Sequence, residues 1–227
     1  MKKNVLLYVI GGVFIVLAIA ALIVFILGTQ NLGTEPFKLE GTWKVAARYK
    51  QAVDDEYMVF TEGTVTDYRN GKEAFSGEFA WINNDTSISI PSLDKEFYIH
   101  KKTDNIIVLV EPGDTDTTYR RWELIRIDEY PAQRADIVGE WTVNVHSDGI
   151  VEGEQIIFTD TTLELYREGS LSASSAYNWN TETGFYVDLL ESQCEAYRCG
   201  NKLMLLEYHT DAETGVRTVS FWELTKK

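Results

Sequence analysis

The chain repeats itself. An offset of 98 residues lays Gly41-Thr42-Trp43 on Gly139-Glu140-Trp141, Phe60-Thr61 on Phe158-Thr159, and Tyr68-Arg69 with Gly71 on Tyr166-Arg167 with Gly169. Trp81 falls on Trp179 without a gap, and two residues of further drift lay Trp122-Glu123-Leu124 on Trp222-Glu223-Leu224. All six tryptophans are thereby matched in three pairs. A period near 100 residues belongs to a small domain and is too long for a solenoid repeat, so the chain reads as tandem copies of one domain.

Within each copy the apolar residues alternate. Trp43, Val45, Ala47 and Tyr49 share one face of a strand, as do Trp141, Val143 and Val145. Met58 and Phe60 match Ile156 and Phe158; Phe79 matches Tyr177; Ile107 and Leu109 match Leu203 and Leu205. Turn signals such as Glu62-Gly63, Asn70-Gly71, Asp104-Asn105 and Pro112-Gly113-Asp114 recur throughout. No stretch after residue 37 sustains a helical period. The prediction is an all-β chain of two tandem antiparallel up-and-down barrels of about eight strands each, since closure leaves no exposed edge. The first barrel is expected over residues 38–127 and the second over 136–227, joined by a short linker, 128–135.

Ahead of them, residues 5–27 carry no charge. As a helix rising ~1.5 Å per residue, this run reaches about 34 Å, enough to cross a bilayer. Lys2 and Lys3 precede it and the next basic residue is Lys38. That asymmetry predicts a single-pass cell-membrane protein with residues 1–28 as cytoplasmic tip and span, 29–37 as linker, and both barrels extracytoplasmic. A cleaved signal peptide would end its shorter apolar run in a small-x-small site, whereas Ala18-Ile19-Ala20 lies mid-run. The net charge is −14, with 35 acidic against 21 basic residues, and two of those basic residues precede the span. Such a surface repels phosphate backbones and anionic head groups, so nucleic acid is excluded as a partner. The remaining partners are the bilayer, through residues 5–27, and a protein or small-molecule ligand.

The Gly-x-Trp at 41–43 and 139–141, opening the first strand of an eight-stranded meander, resembles the lipocalin-like (calycin) domains. The short form, about ninety residues, looks like those on secreted or membrane-anchored bacterial proteins, and the resemblance covers residues 38–227. In lipocalins an arginine near the end of the barrel packs over that tryptophan. The resemblance points here to Arg120 and Arg121, whose counterparts in the second copy are Ser220 and Phe221.

Six residues are candidates for ligand contact: Tyr68, Arg69, Trp81, Tyr166, Arg167 and Trp179. At the 98-residue offset the arginine is the only basic position the copies share. The competing structural role is an arginine pairing with a cross-strand carboxylate and tryptophans filling the barrels, because a domain this small needs large aromatics for its core. His100, His146 and His209 are not shared between the copies and lack metal-ligand spacing, and no nucleophile elbow, phosphate loop or His-Glu-x-x-His occurs. No metal, no cofactor and no catalysis are expected. Cys194 and Cys199, five apart on a regular strand, would lie about 16 Å apart on opposite faces, against the ~7 Å limit of a disulfide. Strand geometry thus leans to free thiols and an oxidising exterior to a bond. The functional expectation is a non-catalytic extracytoplasmic binding or interaction module. The alternatives are a structural accessory subunit or spacer and, more remotely, a hydrolytic enzyme.

Overall fold

The computed structural model describes residues 37–83, 86–111, 121–147, 149–188 and 190–227. The predicted span, the turn at Pro112-Gly113-Asp114 and Arg120 lie outside these residues. Among the described residues no helix is long and apolar enough to cross a membrane.

The described residues are all-β apart from one short 3₁₀ turn, as the repeat and its alternation predict. The first sheet holds β1 (Gly41–Arg48), β2 (Gln51–Ala52), β3 (Glu56–Thr61), β4 (Thr64–Arg69), β5 (Lys72–Glu78), β6 (Ala80–Ile82), β7 (Ser87–Ile90), β8 (Lys95–Lys101), β9 (Ile106–Val110) and β10 (Arg121–Ile127). The second holds β11 (Gly139–His146), β12 (Gly149–Ile150), β13 (Glu154–Phe158), β14 (Thr162–Arg167), β15 (Ser170–Trp179), β16 (Gly184–Val187), β17 (Ser192–Cys199), β18 (Lys202–Thr210) and β19 (Arg217–Lys226). Neighbours pair antiparallel in chain order, and the first strand of each copy also pairs with the last, β1 with β10 and β11 with β19. The second sheet is a closed barrel. The first is nearly closed: the strand matching β15 is interrupted at Phe79 into β5 and β6. Both copies carry the same irregularities, a bulge after Val45 or Val143 and another before Tyr68 or Tyr166.

Each barrel has its own interior. Trp43, Val45, Met58, Phe60, Phe97, Leu109, Trp122 and Leu124 are buried in the first copy. Trp141, Val143, Ile156, Phe158, Phe185, Leu203 and Leu224 form one cluster in the second. Both opening tryptophans donate through Nε1 to a backbone oxygen four residues upstream, Leu39 or Ile137, at 2.8 Å. That bond ties the incoming chain across the barrel end.

A further core lies between the barrels. Ala46, Tyr57, Ile106, Ile125 and Ile127 of the first copy pack with Tyr197, Met204, Leu206, Tyr208 and Phe221 of the second. Strands β9, β10 and β18 are therefore buried on both faces, which is why they read as near-continuous apolar runs such as Ile106–Val110. Around this core Glu223 accepts from Thr103 Oγ1 (2.8 Å), Asn105 Nδ2 (3.3 Å) and Lys202 Nζ (2.5 Å). The connecting segment joins in: Tyr130 stacks on Tyr68 with ring centroids 4.3 Å apart, and Asp128 accepts from Gly200 N–H at 2.7 Å.

The glycine of each Gly-x-Trp has a physical cause. Gly41 and Gly139 adopt φ of +133° and +136°, conformations rarely open to L side chains. A Cβ at position 41 would also lie 2.8 Å from Nη1 of Arg126. Gly41→Ala is expected to cost about 1–3 kcal/mol, more than Gly63→Ala, whose Cβ would meet open space; urea denaturation of both variants measures the difference.

Candidate functional site

The six predicted contact residues do not converge. Arg69 and Arg167 sit at the hairpin opening β5 and β15, paired with Lys72 and Ser170. Trp179 stands nine residues beyond Ser170 along its strand, about 30 Å away at the usual rise, and Trp81 stands nine residues beyond Lys72, past the interruption at Phe79. Both arginines are engaged by carboxylates, Arg167 by its partner across the ladder and Arg69 by Asp67 of its own strand as well as by Glu56 across the ladder. Arg167 Nε lies 2.8 Å from Glu154, and Arg69 lies 2.7 Å from Asp67 and 3.6 Å from Glu56. Tyr68 belongs to the inter-barrel packing, and Tyr166 donates its hydroxyl to Glu164 at 2.9 Å. Trp179 is half-buried, stacked under Arg134 at 3.8 Å and tilted against Phe185, while Trp81 meets Phe79 edge-on.

The cation over the opening tryptophan is Arg126, not Arg121. Its guanidinium lies 4.4 Å from the Trp43 ring and donates to the Glu40 carbonyl at 2.7 Å. Lys226 takes the same place 5.5 Å over Trp141. Directly opposite partners in an antiparallel ladder share a face, and Arg126 stands opposite Trp43; Arg121 stands opposite Val110 and pairs with Glu123 at 2.8 Å instead. The 100-residue offset that aligns Trp122 with Trp222 also aligns Arg126 with Lys226, so the signal was present in the sequence.

A second stack closes the other end of each barrel. Arg48 lies 3.7 Å over Trp122, and His146 occupies its place 3.7 Å from Trp222. In the first copy Arg48 is ion-paired to Glu56 and lies 3.6 Å from Asp67, both carboxylates buried. Burial pushes the Glu56 carboxyl up against the opposing pull of Arg48. In the second copy Leu165 replaces Asp67, and burial holds the His146 imidazole below its ordinary value. The same constellation is thus a neutralised ion cluster in one barrel and an aromatic stack in the other.

The barrels also differ in how they are filled. Phe97 packs against Trp122 with centroids 4.9 Å apart, and Lys95 binds Glu111 at 2.6 Å. By ladder register Cys194 takes the place of Phe97, and Ser192 that of Lys95. Those smaller side chains leave a cavity of about 60 Å³ in the second barrel, lined by Leu163, Leu165, Ala173, Cys194, Glu207 and Trp222 among others. Trp222 Nε1 donates to Glu207 Oε2 there at 3.1 Å. This volume is well below the ~300–1,000 Å³ of sites that enclose a small molecule. Cys194 and Cys199 are both free. One faces the barrel interior and the other faces the junction, where its thiol donates to Asn105 Oδ1 at 3.3 Å. Burial pushes both thiols up, Cys199 to about 11.

No three histidine, cysteine or carboxylate side chains gather at metal-binding distance among the described residues. No family model matches the sequence, and comparison with curated proteins returns no relative.

Proposed function

We propose that the chain is a membrane-anchored, extracytoplasmic interaction module: two lipocalin-like barrels, held as one body, that act through their outer surface without catalysis. The observation that carries this reading is the state of the interiors. In the first barrel Phe97 and Trp122 pack together in the interior and an open, largely polar cleft of about 670 Å³ runs beside Lys95 and Glu111, while the second barrel leaves only about 60 Å³ of apolar cavity. Among the described residues neither barrel offers an enclosed apolar chamber for a lipophilic ligand of ordinary size, which moves recognition to the exterior. The dispersal of the shared tyrosines, arginines and tryptophans, engaged by carboxylates, by neighbouring aromatics or by the connecting segment, supports the same view. A structural accessory role, as a spacer on a membrane complex, draws on the buried inter-barrel core, which suits a body that holds a fixed distance.

The reading is tested by placing a photo-crosslinking amino acid at exposed Ile150, Tyr186 or Tyr98 of the full chain in its native membrane. The expected result is a discrete protein adduct from a subset of these positions. Absence of adducts together with saturable binding of a lipophilic fluorophore would replace this reading with ligand carriage.

A further inference from the structure

In each barrel one strand leaves part of its edge without a ladder partner. β15 pairs with β14 from Ser170 to Ala176 but with β16 only at Tyr177, Asn178 and Trp179. On the β16 side, Ser170 to Ser174 therefore have no ladder, and all but Ala173 are exposed. The corresponding edge of the first barrel is protected. β5 carries Lys72, Glu73 and Glu78, and the short 3₁₀ turn Pro91–Leu93 sets Ser92 against Gly77, with the Phe75 ring folded over the same glycine. Charges and covering segments are the usual protection of a sheet edge. Among the described residues the second barrel shows neither: Ser170-Leu171-Ser172-Ala173-Ser174-Ser175-Ala176 is uncharged, and Ala173 stands where Phe75 stands. Leu171 is 55% and Leu190 41% exposed.

Beneath this edge lies an apolar seat, since Ala173, Ser175 and Leu190 also line the interior cavity. Its surroundings are acidic. Glu164 lies opposite Ser174 on β14, Glu168 is exposed in the preceding turn, and Asp188 and Glu191 are exposed in the turn after β16. The neighbouring cation, Arg167, is held by Glu154.

We propose that the Ser170 to Ser174 edge docks an extended segment of a partner protein in which apolar and basic side chains alternate. The segment adds a strand to β15, sets an apolar side chain into the seat beneath Ala173 and Ser175, and turns its cations toward Glu164, Glu168, Asp188 and Glu191. This inference rests on the interaction-module reading and names the kind of partner.

The test uses the full chain in non-ionic detergent and a fluorescent, end-capped peptide of alternating lysine and valine, followed by anisotropy. Saturable binding that weakens with added salt is expected. N-methylation of alternate peptide nitrogens, Ser172→Lys, and Ala173→Phe, which restores the side chain of the first barrel, should each weaken it at least about tenfold. No binding, or binding indifferent to N-methylation, would overturn the proposal without depending on any variant's folding. If the chain instead forms a dimer that Ser172→Lys dissociates, the edge belongs to a second copy and the peptide assignment fails. Discrete crosslinks from Ile150, Tyr186 or Tyr98 alongside a failed peptide titration would remove this docking site alone and leave the interaction module standing.

Discussion

Trp141→Ala is expected to lower the stability of both barrels, although the residue lies in one. Trp141 is buried, donates to Ile137 and carries Lys226 over its face. Truncating a buried tryptophan costs roughly 3–5 kcal/mol through lost transfer energy and the cavity left behind. Domains are stable by only about 5–15 kcal/mol, so the thermal midpoint should fall by roughly 6–20 °C. Trp43→Ala should match it, because Trp43 is equally buried under Arg126. Half-buried Trp81 and its edge contact with Phe79 should cost clearly less on truncation. Calorimetry of the three variants checks this order, and one transition per variant is expected because the barrels share the core around Tyr197 and Met204.

Raising the pH above about 10 should destabilise the protein steeply, through tyrosines buried between the barrels. Burial raises Tyr57 to about 12 and raises Tyr197 and Tyr208 well above the ordinary phenol value, with Glu195, which accepts from both of the latter at 2.7 Å, adding to the effect. Above their unfolded values these phenols ionise in the unfolded chain and stay protonated in the folded one, so the folded state holds more protons and stability falls as pH rises. Each such phenol contributes a slope of about 1.4 kcal/mol per pH unit, and the three together about 4. The buried thiols act in the same direction and begin the decline near pH 9. Lys44 opposes it. Burial lowers its ammonium, which donates to the Val53 carbonyl at 3.1 Å. The stability it contributes is complete above about 10.5 and is lost as pH falls through its folded value. Tyr197→Phe should flatten the alkaline limb by about one phenol's slope, and Lys44→Met should remove the opposing contribution; urea titrations across this pH range measure both.

Much of this architecture is legible in the sequence because duplication prints each landmark twice. The matched tryptophans, the alternation of Trp43 with Val45, and the glycine at Asn70-Gly71 all point to small closed sheets. The cross-strand pairing of Arg69 and Arg167 with carboxylates follows from their strand positions. What escapes is what the copies do to each other. Met204 and Leu206 alternate with Leu203 and Leu205, so β18 has two apolar faces, and a reading that assigns one face to the interior leaves the other unexplained. Arg126 lies four residues beyond Trp122, outside the stretch to which the lipocalin resemblance points, although a cation recurs at Lys226. The cavity depends on Cys194 standing opposite Phe185 as Phe97 stands opposite Ile88, a register that loop-length differences between the copies conceal. The bare β15 edge needs the ladder itself, because strand content does not say where pairing stops.

Native-state hydrogen exchange under rising denaturant tests the union of the two barrels most directly. If they form one body, the slowest amides of β1 and β10 and those of β11, β18 and β19 converge on a single opening free energy, and Trp141→Ala lowers both sets together. Should β1 and β10 keep their full protection while the second barrel opens, the barrels are independent and the account is wrong.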